Sequence, residues 1–179
     1  MRALISLFFA SPRRALAWRA VVIVGMLSFG LYLQYHVGLT PCPMCIVQRY
    51  LYILIFLVAL GGVFSRRCGV QAVVLTLVLV LAGSGVFVAA RQTWLQWHPP
   101  AFYSCGRDFY GLIEQMPLSQ ALPKIFAGSG DCTAIDWTFL GGSIANWSLL
   151  AYTLMALVAL GWLWRLWMPN RPRGRLRRA

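Results

Sequence analysis

The chain has 179 residues, of which 60% are apolar and 11% charged, and its 16 Lys and Arg against 4 Asp and Glu give a net charge of +12. A soluble domain carries about a quarter of its residues charged, so this composition excludes an ordinary water-soluble core, and the length leaves no room for a second domain. The basic surplus does not indicate nucleic acid, because no aromatic–basic platform or binding motif accompanies it, and no such partner is expected.

Crossing about 30 Å of hydrocarbon takes roughly 20 helical residues, and four stretches are long and apolar enough. The first helix is expected at about residues 18–35. Basic residues precede it as in a secretory signal, but the chain then reads Leu33-Gln34-Tyr35-His36, with no small-x-small cleavage site, so the helix is expected to stay uncleaved. A loop at 36–44 leads to a second helix at about 45–65, and a tight turn at 66–68 to a third at about 69–90. A long polar loop, 91–145, precedes the fourth helix at about 146–166 and a basic tail. Trp18, Tyr35, Tyr50, Trp94, Trp147 and Trp164 fall near the ends, as interfacial belts require. The expected fold is an all-α membrane protein, a four-transmembrane-helix bundle. Within the long loop, Leu118, Ala121, Leu122, Ile125 and Phe126 recur at helical spacing, interrupted by Pro117 and Pro123, which predicts a short amphipathic helix on the membrane surface.

Charge sets the orientation. Four basic residues lie in the N-terminal region (Arg2, Arg13, Arg14, Arg19), two in the turn (Arg66, Arg67) and six in the tail (Arg165, Arg171, Arg173, Arg175, Arg177, Arg178), so twelve of sixteen share one side. The other side has Arg49, Arg91, Arg107 and Lys124, with all four acids, Asp108, Glu114, Asp131 and Asp136. The positive-inside rule then makes both termini and the 66–68 turn cytoplasmic, and turns the loops at 36–44 and 91–145 outward. The tail is a topology signal that can also touch anionic lipid.

Of five cysteines, Cys42, Cys45, Cys105 and Cys132 lie on the outward side, where disulfides persist. Four cysteines allow three pairings, and the economical one is Cys42–Cys45 with Cys105–Cys132. Thr40-Pro41 reads as an N-cap followed by proline at the first helical position. That start would put Cys42 and Cys45 on one helical face, where the positive end of the helix dipole favours a thiolate. Arg49 lies four residues past Cys45 on the same face. An arginine inside the membrane marks a functional site by default; it suits a Cys45 thiolate or the carbonyl of a lipid-soluble oxidant, against a bland reading of snorkelling to the interface. Cys105 follows an extended stretch, and Cys132 ends the glycine-rich Gly128-Ser129-Gly130-Asp131 turn. Taken alone, each pair is also compatible with a structural staple. A zinc site built from all four is disfavoured by the separation of Cys105 from Cys132, and no metal is expected. Cys68, beside Arg66 and Arg67, reads as a reduced spectator.

The ordered set of motifs resembles the DsbB family, the bacterial inner-membrane disulfide bond formation proteins. The likeness runs over essentially the whole chain. It covers four spans, Pro41-Cys42-Pro43-Met44-Cys45 with Arg49, and Pro100-Ala101-Phe102 before Cys105. It continues through Phe126-Ala127-Gly128-Ser129-Gly130-Asp131-Cys132 and Trp137-Thr138-Phe139-Leu140-Gly141. The resemblance implies an enzyme, a thiol:quinone oxidoreductase that reoxidises DsbA, the soluble thioredoxin-fold oxidase of the periplasm. By position, it implies that reduced DsbA attacks Cys105 and that Cys132 is the resting partner of Cys105. Cys42 then receives electrons by thiol–disulfide exchange, and Cys45 passes them to ubiquinone (or menaquinone without oxygen), with Arg49 at the quinone. That relay is the family's established scheme. DsbA is poised near about −120 mV, so only an acceptor of still higher potential suffices, and a glutathione-like thiol pool is too reducing.

Two positions depart from some relatives. Gln92 stands where a histidine occurs, and it donates a hydrogen bond but cannot titrate; Gln48 stands where an acid occurs, a change expected to affect tuning. A vitamin K epoxide reductase-like enzyme also joins four helices, a Cys-x-x-Cys and a quinone, but carries its motif late in the chain. A membrane scaffold with structural disulfides is the non-enzymatic alternative.

Overall fold

The computed structural model describes residues 11–99 and 130–168. Cys105, the amphipathic segment from Leu118 to Phe126, Gly128, Ser129 and the tail arginines from Arg171 onward lie outside the described residues. Four helices are long and apolar enough to cross a membrane: α1 (Pro12–His36), α2 (Pro43–Phe64), α3 (Cys68–Trp97) and α5 (Ile144–Trp167). Between α3 and α5 stand a single turn, α4 (Gly130–Thr133), and two short strands, β1 (Thr138–Phe139) and β2 (Gly142–Ser143), which pair antiparallel with Thr138 opposite Ser143. The chain is a four-helix membrane protein.

The helix ends differ from the sequence expectation for local reasons. Helix α1 starts at Pro12 because Ser11 caps it, its side chain accepting from the Arg14 amide at 3.3 Å, with proline at the first turn. Arg19, counted with the N-terminal basic residues, lies inside the helix, as the expected bounds of about 18–35 also place it. Helix α2 starts two residues later than the Thr40-Pro41 signal predicts. Pro43 suits the first helical position as well as Pro41 does, and the Cys42 sulfur supplies the cap, accepting from the Cys45 amide at 3.3 Å. Helix α3 runs seven residues past residue 90, to Trp97, because Arg91, Gln92 and Thr93 face protein partners rather than ending the helix. Ser143 caps α5 through the Asn146 amide.

Consecutive helices pack side by side, α1 on α2 and α2 on α3, while α5 lies along α3 and touches α1 little. Small residues set the close approaches. A Cβ on Gly85 of α3 would run into the Tyr152 ring of α5, and one on Gly62 of α2 would lie 2.7 Å from Leu16 and Val74 side-chain carbons. Tyr152 stacks on Tyr52 with ring centroids 4.2 Å apart, and its hydroxyl donates to the Gln48 carbonyl at 2.7 Å. At the other end of α2, the Gln71 amide donates to the Gly62 and Ser65 carbonyls, which closes the turn into α3. The sparse contact between α1 and α5 leaves a cavity of about 1000 Å³ with α2 as its floor.

Candidate active site

The site begins at the N-terminus of α2. Cys42 as N-cap and Cys45 one turn on carry their sulfurs 3.0 Å apart. A disulfide needs about 2.05 Å, so a shift of about an ångström joins them. The single turn α4 rests against α2 and α3 and carries Cys132, fully buried, into the same cluster as Cys42, Met44, Val88 and Leu95. Its sulfur hydrogen-bonds to Cys42. Cys42, Cys45 and Cys132 thus meet at one point, with Cys42 in the middle. Hydrogen bonds to Cys132 and then to Cys45, followed by burial, push the Cys42 thiol well above its ordinary value, so Cys42 is held as the neutral thiol when reduced.

Cys45 has different neighbours. Gln92 of α3 donates its amide to the Cys45 sulfur at 3.2 Å and to the Cys42 sulfur at 3.4 Å. Its own oxygen accepts from Gln48 at 2.7 Å, and both glutamines are buried. The Gln48 donor thereby fixes the Gln92 amide with its NH2 toward the sulfurs. The backbone of Gln48 is in turn tied to Tyr152 of α5, so three helices hold one amide in place.

Arg49 shares the cavity with Cys45 but faces α1. Its guanidinium donates to the Gln34 side chain and to the Gly30 carbonyl, the latter at 3.3 Å. The guanidinium lies close over Gly30, where a Cβ would make ordinary van der Waals contact with it at 3.8 Å. At this end the wall is polar, with Gln34, Cys45, Gln48, Arg49, Gln92 and Gln96, and the remainder of the cavity is mostly apolar. Trp137 and Phe139 line the rim of the cavity, Trp137 edge-on to Phe29 of α1 with centroids 5.3 Å apart. The hairpin beneath them turns at Leu140 and Gly141, both with positive φ (50° and 79°), as the tightest hairpin turns require. The Trp147 indole donates to the Phe139 carbonyl at 3.0 Å and pins the hairpin to α5.

The family model for the disulfide bond formation protein DsbB matches residues 12–162. The chain belongs to the DsbB family. It is 57% identical over 165 residues to the disulfide bond formation protein B of Paracidovorax citrulli, covering 90% of this chain and 93% of that one. Its identity to the protein of the same name in Albidiferax ferrireducens is 54% over 156 residues, 87% and 89% of the two chains. For that of Acidovorax sp. strain JS42 it is 58% over 153 residues, 84% and 86%.

Within this DsbB-family chain, Cys42, Cys45 and Cys132 converge, and Arg49 lines the cavity beside them, while Cys105 lies outside the described residues. The hydrogen bonds on Cys45 come from Gln92 and from Cys42, whereas the guanidinium of Arg49 is committed to α1. Sequence reasoning noticed Gln92 and Gln48 only as departures from relatives. A better signal was available, since glutamines inside spans of this hydropathy are costly unless paired. Gln48 and Gln92, on different helices, pair with each other.

Proposed function

We propose that the chain is a disulfide-forming oxidoreductase of the bacterial inner membrane that draws electrons from a DsbA-like thioredoxin-fold oxidase and passes them to the quinone pool. The single observation that carries this reading is the order of groups around Cys42, with Cys132 on one side and Cys45, opening on an apolar cavity, on the other. Exchange requires that arrangement. When DsbA's dithiol reduces the Cys105–Cys132 pair, the Cys132 thiolate stands beside Cys42 and attacks it in the Cys42–Cys45 disulfide. The Cys42–Cys132 bond forms, the Cys42–Cys45 bond breaks, and Cys45 leaves as the thiolate that accepts the electron pair. Attack on Cys42 is favoured because it is the buried sulfur facing Cys132, and Cys45 leaves more readily because Gln92 donates to it.

The residues fit an isoprenoid quinone. A ubiquinone, or menaquinone without oxygen, supplies a two-electron acceptor of high potential. Arg49, Gln34 and Gln96 would hold its head, and the apolar walls beside them, Phe29, Ile144 and Trp147, would take the near end of its tail, since ligand sites combine a few placed polar groups with apolar walls. Gln92 holds Cys45 in place and Arg49 places the acceptor. The outward face of these groups corresponds to the periplasm, with both termini cytoplasmic.

Stopped-flow oxidation of reduced DsbA with ubiquinone, followed at the quinone absorbance, tests the reading. Rapid loss of quinone is expected in the wild type and none in Cys45→Ser. Absence of quinone loss in the wild type, with every outward cysteine already bridged, overturns it in favour of structural staples.

A further inference from the structure

Arg19 lies far from the cysteines, at the inner end of the same cleft. It stands on the packed stripe of α1 with Pro12, Ala15, Leu16, Ala20 and Ile23, and is only 5% exposed. Its Nη2 donates to the Met155 carbonyl of α5 at 3.3 Å. That carbonyl lies inside a helix, where the ladder already engages it, so it is a weak partner for a full charge. Nη1 is buried and has no hydrogen-bond partner among the described residues. A charged donor left over inside the bilayer points to a ligand.

The surroundings define that ligand. Around Arg19 the cavity wall is Ala15, Trp18, Val22, Leu154, Met155 and Val158, an apolar slot with one cation. Trp18, Val22 and Leu154 are 44%, 47% and 53% exposed. In a membrane-spanning bundle that exposure is to lipid, so the slot opens between α1 and α5 within the bilayer. An occupant arriving there is dissolved in the membrane, is anionic to match the guanidinium, and has an apolar chain to match the walls. At a rise of 1.5 Å per residue, Arg19 is about 16 Å along α1 from Gly30, where Arg49 sits, and about 9 Å from Arg13 at the inner end. That depth suits a headgroup drawn slightly inward from the inner leaflet. A quinone head has neutral carbonyls and better-matched amides at the other pole.

We propose that Arg19 anchors the phosphate of a bound phospholipid, with one acyl chain lying in the α1–α5 slot. This site stands apart from the electron relay and does not depend on it.

The test is the thermal unfolding of the full chain in a non-ionic detergent, titrated with phosphatidylglycerol, decylubiquinone or inorganic phosphate. The expected result is a saturable rise in Tm with phosphatidylglycerol in the wild type and in Arg14→Gln, an exposed basic residue nearby. In Arg19→Gln the rise is lost or needs at least tenfold more lipid. Val22→Trp, which fills the slot and leaves Arg19 in place, abolishes the rise too and keeps the test decisive if Arg19→Gln does not fold. An equal rise with inorganic phosphate overturns the lipid assignment. An Arg19-dependent rise with decylubiquinone alone makes the slot a quinone site and also overturns it. No Arg19-dependent rise with any of the three leaves Arg19 as a tie to Met155.

Discussion

Gln92 does for the sulfurs what a charged group was expected to do. A hydrogen bond to a charged acceptor contributes about 1.5–3 kcal/mol, and Gln92 Nε2 reaches both sulfurs. Removing it in Gln92→Ala is expected to slow both quinone reduction and iodoacetamide alkylation of Cys45 by about ten- to a hundredfold at fixed pH. The KM for quinone should change little, and stopped-flow kinetics across a quinone series checks the split. Gln48→Leu should produce a smaller loss of the same kind, because it frees the Gln92 amide without deleting it. Arg49→Ala is expected to do the reverse, raising the quinone KM while all outward thiols remain oxidisable; unchanged quinone kinetics would remove Arg49 from the site. Cys42 adds a pH dependence. Its folded pKa is raised, by Cys132 first, so the reduced protein keeps that contribution below the unfolded thiol value near about 8.5 and loses it as pH climbs past that. Melts of the reduced protein at pH 7.5 and 9.5 should show a drop in Tm that Cys42→Ser lacks.

At the scale of elements, the spans were legible because a run of about 20 apolar residues has one interpretation in a bilayer. Their ends were less so. Thr40-Pro41 and Cys42-Pro43 are both acceptable helix starts, and only the position of the Cys42 sulfur over the Cys45 amide chose between them. The 138–143 hairpin was invisible because two residues per strand carry no alternation. The contact of Gln92 with Cys45 spans 47 residues of sequence, and no local pattern encodes it. Helix packing gives the sharpest test at this scale. Gly85 lies against the Tyr152 ring, which is stacked on Tyr52 and bonded to Gln48, so the ring has nowhere to move. Gly85→Ala should destabilise the detergent-solubilised protein by about 1–3 kcal/mol. Gly61→Ala, with nothing near its added methyl, should be neutral or slightly stabilising by thermal melt.

At the scale of the whole molecule, the cleft follows from the order of packing. Helices α1 and α5 are the two ends of the chain of contacts, each packed on one side only, and the gap between them is the cavity. The cysteine cluster lies at one end of that cleft and the buried Arg19 toward the other, so the direction of the protein in the membrane decides which compartment supplies each. The charge count predicts that the Cys42 end faces outward and the turn carrying Cys68 inward. Cys68 is exposed and lies at the start of α3, away from the cluster, which makes it a built-in probe. In intact spheroplasts treated with a mild reductant, a membrane-impermeant maleimide should label the outward cysteines and leave Cys68 unmodified, and Cys68 should react once the membrane is opened. Mass spectrometry of the peptides checks this. Labelling of Cys68 in sealed spheroplasts would invert the protein, place the reactive cysteines in a compartment where thiols stay reduced, and remove the basis for a relay from a periplasmic donor.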